Sequence, residues 1–311
     1  MIIRPVARGL LTYIPGFYKL FSNQKRLTSI SAEYFYALWI KHLTMLFQNG
    51  IKTIPESIAE IGPGSSIGLG LAALLSGTNK YYGFDVVEHT DLKSNLKLFN
   101  QLIEYFKIKK DVKAGGWPDY YKYLDSNGFP SHILTDEILE KTLSEERISE
   151  IRNILLNNKK KNGIDIKYIV PWENYNKLEL SVDMIVSHSV LEHVNNLEST
   201  YLAMNKWAKN GGVISHQIDF RSHKTTKIWN GHWQISKTLW KLVVGRRPFL
   251  INRQPSSTHI EMIKNNGFTI LCSLKNFRED GISRQKLARD FQHFNNEDVN
   301  TCGLFIQAIK K

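Results

Sequence analysis

Apolar residues recur at helical spacing over residues 31–48 and stop at Gly50, which predicts a helix closed by a C-terminal glycine. Beyond it the period switches back and forth. Short apolar runs at 57–61, 80–86, 165–170, 182–188 and 213–219 read as strands. The stretches at 66–76, 197–208 and 258–265 read as helices, the last stopped by Gly267. Alternation of this kind predicts a parallel sheet with crossover helices. Two final runs, 269–277 and 303–309, have no helical pattern between them, so they are expected to pair antiparallel at a sheet edge.

Two polar interruptions break the alternation and are expected to be insertions. One spans about 95–162 and holds the charged helix-like run TDEILEKTLSEERISEIRNILLNNKKK; the other spans about 220–255 and is rich in Trp, Arg and His. The organisation expected is an N-terminal helical arm (1–50) and one domain (51–311) carrying both insertions.

With 311 residues, 42% hydrophobic and 23% charged, the chain can bury a large core, and wholesale disorder is excluded. No run approaches the roughly 20 apolar residues that cross a bilayer. The opening MIIRPVARGLLTYIPGFYKLF is interrupted by Pro5 and Pro15-Gly16 and lacks a small-residue cleavage site, so a cytoplasmic chain is expected rather than a signal peptide. That arm is expected to pack on the protein's own core. Its second reading is peripheral contact with the inner membrane face through Leu10, Leu11, Ile14, Phe17 and Leu20, beside Arg4, Arg8 and Lys19. Cys272 and Cys302 have no metal or disulfide spacing and fit a reducing compartment. Lys plus Arg exceeds Asp plus Glu by 41 − 29 = 12, a balance that suits an anionic partner without choosing one.

The sharpest chemical signal is Ile58-Ala59-Glu60-Ile61-Gly62-Pro63-Gly64, set between a predicted strand and helix. Gly62 and Gly64 permit tight backbone geometry and close approach of a ligand. Asp85 closes the next strand, 21 residues after Gly64, where an acid can accept hydrogen bonds from ribose hydroxyls. The dinucleotide fingerprint requires glycine at 67, which is Ile67, and this argues against a pyrophosphate cofactor. Glu60 at the strand end repels phosphate and suits a cationic ammonium instead.

On these residues, and on the segment from Asp183 to Val194 (DMIVSHSVLEHV), the chain resembles the class I S-adenosylmethionine-dependent methyltransferases over about 57–218. The resemblance implies a Rossmann-like seven-stranded, mostly parallel sheet with an antiparallel edge pair, N-terminal helices and helical insertions. It places Glu60, Gly62 and Gly64 around the methionine part of S-adenosyl-L-methionine and Asp85 on the ribose. Ser66 stands where the family often has a third glycine. Tyr168 and Ile169 begin the adenine-contacting loop, and Ser187 and His188 form the floor under the methyl group.

On the acceptor side, titratable groups crowd the predicted strand ends: His188 and His193 after one strand, His216, Asp219 and His223 around the other. In an open parallel sheet that edge binds ligands. His223 and Asp219 are the expected acceptor-side catalytic groups, while His216, inside a strand, reads as a core histidine. The stretch Trp229-Asn230-Gly231-His232-Trp233, followed by Arg246-Arg247, Asn252-Arg253 and His259, suits a sugar, with rings stacking and amides or guanidinium groups binding hydroxyls. Residues 216–267 also resemble stretches of bacterial polysaccharide- and lipopolysaccharide-associated methyltransferases. The acceptor expected is a sugar or glycan, lipid-linked in one version, and the reaction O-methylation. Nucleic acid is not the expected partner: the NPPY or DPPY tetrapeptide and a Pro-Cys nucleophile are both absent. RNA ribose methylation and a non-catalytic scaffold subunit stay open as alternatives. No metal-ligand spacing is evident, although Asp219 with His216 or His223 could ligate one.

Overall fold

The computed structural model describes residues 3–15, 31–88, 90–112, 117–157, 163–172 and 178–311. Its strands are β1 (Ser57–Ile61), β2 (Lys80–Phe84), β3 (Asp165–Ile169), β4 (Val182–His188), β5 (Ala208–Asp219), β6 (Phe268–Phe277) and β7 (Thr301–Lys310). They form one seven-stranded sheet in the order β3-β2-β1-β4-β5-β7-β6. The first five are mutually parallel, and β7 runs antiparallel between β5 and β6. This is the expected Rossmann-like sheet, with the additional feature that the last strand inserts beside β5.

Both faces of the sheet are covered at its centre, so β1, β4 and β7 are buried in nearly every position. Alternate side chains separate the two sides. Ile58, Tyr81, Met184, Val186 and Val213 belong to one core with α2 (Ala32–Gln48), α3 (Gly68–Leu74) and α4 (Leu92–Lys107). Ala59, Ile61, Phe84, Ile185 and Ile218 belong to the other, with α7 (Leu197–Trp207) and α9 (Ser256–Asn265). Local chemistry fixes the helix starts: Ser31, Asp91 and Asn196 each accept a backbone N–H of the first turn.

Two boundaries differ from the expected organisation. Within residues 1–50, α2 is core rather than appendage: Trp39, Ile40 and Leu43 are fully buried, and the Trp39 indole donates to Ser76 at 2.8 Å. In the segment from about 95, α4 packs on α2 and α3 as the β2–β3 crossover helix. Its apolar residues Leu92, Leu96, Phe99, Ile103 and Phe106 recur at helical spacing, a signal the sequence reading passed over. The added part therefore begins after Lys107 and holds α5 (Asp136–Thr142) and α6 (Glu145–Asn157). The opening helix α1 (Ile3–Leu11) packs on α8 (Lys237–Val244). Phe17, Lys19 and Leu20, assigned to a membrane-facing arm, lie outside the described residues. Among the described residues no helix is long and apolar enough to cross a membrane.

The second insertion corrects the sugar-platform expectation. Trp229, Asn230, His232 and Trp233 are buried rather than presented. Asn230 accepts the Ile282 N–H at 2.7 Å and donates to the Val299 carbonyl at 2.9 Å. His232 contacts the Phe220 carbonyl at 2.9 Å through Nε2, and the Trp233 indole donates to the Arg253 carbonyl. Arg253 donates to the Ile235 carbonyl and lies over the rings of Trp240 and Phe291. Backbone groups without partners inside the insertion are costly, and these side chains satisfy them. Asn230→Ala is expected to lose about 2–3 kcal/mol of stability, measured by urea unfolding, because it orphans two buried backbone groups. An exposed sugar-binding asparagine would change stability by less than about 0.5 kcal/mol.

Candidate functional site

The loops after β1, β2, β4 and β5 gather at one edge of the sheet, and the resemblance-bearing residues stand there. Gly62 and Gly64 both take positive φ, +70° and +67°. At Gly62 a side chain is excluded, since a Cβ would stand 2.6 Å from Val190 of the β4 loop. At Gly64 nothing lies within 4 Å of that direction, so the backbone faces open space. The first glycine closes the loop against the protein, and the second leaves room for a ligand to approach the main chain.

Asp85 locks this loop. Its Oδ2 accepts the Gly64 N–H at 3.0 Å and its Oδ1 the Val86 N–H at 2.7 Å. The Tyr168 hydroxyl lies 3.4 Å from Asp85 Oδ2 and 3.3 Å from the Gly64 carbonyl, so Tyr168 joins β3 to the same loop. The Ile169 carbonyl accepts the Asp85 N–H, fixing where β2 ends. Ser66 turns away from the open side: it donates to Asn95 at 2.8 Å and receives the Gly68 N–H, anchoring the start of α3. Val86 and Val87, which the sequence pattern did not single out, expose apolar side chains beside Asp85.

Glu60 is buried, 6% exposed, at the end of β1. Burial pushes its carboxyl up to about 8, against the Tyr81 hydroxyl, which lowers it, and with Asp85, which raises it. Tyr81 donates to Glu60 Oε2 at 2.5 Å. Two glycines make that contact possible. A Cβ on Gly70 of α3 would stand 2.3 Å from the Tyr81 ring, and one on Gly83 would stand 3.0 Å from its hydroxyl.

Helix α2 supplies residues that the sequence reading missed. Lys41 hydrogen-bonds to Gln217 of β5, and burial pushes its ammonium down to about 7. His188, at the end of β4, packs edge-on against the Tyr34 ring at 5.9 Å. Burial and then Lys41 push it down to about 3, so it is a neutral wall and too weak a base at neutral pH. The signal for Lys41 was its place as a lone cation in an otherwise apolar helical stretch.

Ser187 is not part of the floor. It is fully buried on the other face of β4, 2.8 Å from His216 Nδ1. His216, likewise fully buried and pushed down to about 3 by burial, is the core histidine expected. The alternation of side chains along β4 sends Ser187 and His188 to opposite faces, which the sequence motif alone did not convey.

The acceptor-side groups do converge. His223 Nε2 lies 3.6 Å from Asp219 Oδ2 and 3.8 Å from Glu192 Oε1, and His193 Nε2 lies 4.0 Å from Glu192 Oε1. The imidazoles of His193 and His223 meet edge-on at 4.8 Å. Arg221 grips both Asp219 oxygens and, against burial, holds its carboxyl below the usual range. Glu192, 2% exposed, was not singled out from the sequence. Asn252 secures its loop, accepting nothing there but donating to the Leu191 and Val194 carbonyls at 2.7 and 2.9 Å.

No family model matches the chain, and no curated protein matches it. Solved structures do. An S-adenosylmethionine dependent methyltransferase from Mesorhizobium loti is 13% identical, with 88% of this chain and 98% of that chain covered and a TM-score of 0.44. A Haemonchus contortus phosphoethanolamine N-methyltransferase 2 in complex with S-adenosyl-L-methionine is 14% identical, with 94% of this chain and 60% of that chain covered and a TM-score of 0.43. Likeness at this distance does not extend to activity or acceptor.

The raised carboxyl of Glu60 has a definite effect on stability. With a folded value of about 8 and an unfolded value near 4.3, the folded state holds the extra proton between those limits. Stability from this group is present below about pH 4 and lost as pH rises through 8. Glu60→Gln mimics the protonated form, so its melting temperature should gain on wild type steadily from pH 5 to pH 8. Equal melting curves across that range would contradict the assignment.

Proposed function

We propose that this chain is an S-adenosylmethionine-dependent methyltransferase acting on an oxygen atom, with a sugar or lipid-linked glycan as the acceptor class. One observation carries the reading: a buried carboxylate, Glu60, ends β1 beside the positive-φ Gly62–Gly64 loop, with Asp85 ending β2 next to it. A buried carboxyl held out of its charged state favours a ligand that brings a cation. Phosphate does not fit, because it would oppose the ionisation of Glu60 that a cation favours, and Ile67 fills the place of the third glycine of the dinucleotide loop.

S-adenosylmethionine, when bound, supplies an electrophilic methyl group on a sulfonium. In this reading Glu60 and the loop of Gly62 and Gly64 hold the methionine part, Asp85 the ribose, and Tyr168, Ile169, Val86 and Val87 border the adenine. Tyr34 and His188 wall off water from the α2 side. His223 and Asp219 act on the acceptor hydroxyl, whose proton must leave as the oxygen is methylated. The sugar assignment rests on this hydroxyl chemistry and on the looser resemblance over 216–267. It gains nothing from the buried tryptophans.

The net charge of +12 favours a second reading, RNA ribose methylation, which would show as binding that falls steeply with salt. A cytoplasmic location fits both readings. Peripheral membrane contact is supported by the exposed Ile3, Leu10 and Ile14 beside Arg4 and Arg8 of the first helix and its following turn.

Calorimetry with S-adenosylhomocysteine tests the proposal. Wild type should bind at micromolar concentration, and Asp85→Ala should weaken binding at least about tenfold, the loss of roughly 1.4 kcal/mol. NADH should not bind. Folded protein that ignores S-adenosylhomocysteine would overturn the proposal, and tight binding without turnover of any hydroxylated acceptor would favour the scaffold reading.

A further inference from the structure

We propose that Glu192, His193 and His223 form a binding site for a divalent first-row metal ion at the acceptor end of the sheet edge. One ligand atom from each lies within 4.8 Å of the others, and no other such trio occurs among the described residues. Two imidazoles and one carboxylate are a donor set that suits Mn²⁺, Fe²⁺, Co²⁺ or Zn²⁺. Ligands around such an ion stand about 3 to 3.5 Å apart, given metal–ligand bonds of about 2.0–2.2 Å. The separations from Glu192 Oε1 are 3.8 and 4.0 Å and all three ligand atoms lie within 4.8 Å of one another, wider than around a bound ion, and both imidazoles are partly exposed.

A second observation points to a cation. Both oxygens of Glu192 are buried, and neither makes a hydrogen bond of good geometry, although the backbone groups of Glu192 and Asp219 face them. An unsatisfied buried carboxylate costs several kilocalories per mole unless something compensates it. Among the described residues no lysine or arginine forms an ion pair with it, and Arg221, whose charge it feels, is bound bidentate by Asp219. A metal ion would satisfy the carboxylate directly. Asp219, 3.6 Å from His223 Nε2, then stands outside the trio and adds to its negative field.

The backbone is arranged for this cluster. His223 sits at φ +45° and Lys224 at φ +64°, a left-handed pair that turns the chain back after β5. Such conformations cost energy in residues with a Cβ, and at functional sites they aim side chains. On the other side, the Asn252 N–H donates to the Glu192 carbonyl at 2.6 Å, and its side chain grips the same loop. The second insertion thereby braces the backbone that carries Glu192 and His193.

Resting on the methyltransferase reading, the ion would change how His223 acts. Rather than take the proton itself, His223 would hold a Lewis acid that lowers the acceptor hydroxyl's affinity for its proton, which would pass to water as the oxygen is methylated. The metal site itself does not depend on that reading.

The test uses the full chain stripped with chelator and titrated with Co²⁺, followed by its visible absorption and by calorimetry. We expect one ion per chain, and His223→Ala and His193→Ala each weakening it at least about tenfold. Added Co²⁺ should raise the melting temperature of wild type but not of His223→Ala. These variants alter partly exposed side chains, so they stay folded even if Glu192→Gln does not. No saturable binding, or binding indifferent to both histidine variants, would overturn the proposal. S-adenosylhomocysteine binding on the same metal-free preparation separates the two claims. Its loss with Co²⁺ binding intact would sink the methyltransferase reading alone, and the reverse result would sink the metal site alone.

Discussion

The hydrogen bond from Tyr81 to Glu60 is the interaction around which the candidate site is assembled. A carboxyl buried at the centre of a parallel sheet would ordinarily be expelled or replaced. Here it is retained because β2 delivers a hydroxyl to it, and β2 can do so because Gly70 and Gly83 leave room for the Tyr81 ring and its oxygen. The register places Glu60 opposite Gly83 on β2 and Val186 on β4, the middle of the sheet and next to the open Gly64 backbone. Helix α2 then closes the same face with Tyr34 and Lys41. Core packing and site construction are therefore one arrangement, and the energy of the ligand-free protein is raised at the point where a cationic ligand would relieve it.

Burial divides these histidines by role. His42, His216 and His259 lie in the interior, meeting Ser215, Ser187 and Tyr201, and burial pushes all three well below the usual imidazole value. His193 and His223 lie beyond the strand ends, where loops rather than layers surround them. Two partly exposed imidazoles are thus brought together at one edge. That edge is also the one where a parallel α/β sheet leaves its crevice open.

Much of this was legible in the sequence, because the strand–helix alternation and the glycine loop are local signals. The positions of β1 to β5, the antiparallel final pair and the meeting of Gly62, Gly64 and Asp85 all follow from short patterns. What was not legible depends on long-range packing. Helix α4, by contrast, has a legible helical period, Leu92, Leu96, Phe99, Ile103 and Phe106, that was passed over inside an apparent insertion. Asn230 and Trp233 carry groups that suit a sugar, yet in the fold these satisfy backbone groups 20 to 69 residues away. Ser187 and His188 are neighbours in sequence and opposites in space. Lys41 and Glu192 gain meaning only once α2 lies over β5 and the loop after β4 meets the turn after β5.

In the proposed function Glu60 waits protonated and becomes the anionic partner of an incoming ammonium. Calorimetry of S-adenosylhomocysteine binding at pH 7, repeated in buffers of different ionisation enthalpy, counts the protons exchanged. With the Glu60 carboxyl pushed up to about 8, nearly one proton should be released per ligand by wild type, and none by Glu60→Gln. Binding with the same heat in every buffer, or proton release unchanged in Glu60→Gln, would contradict the account.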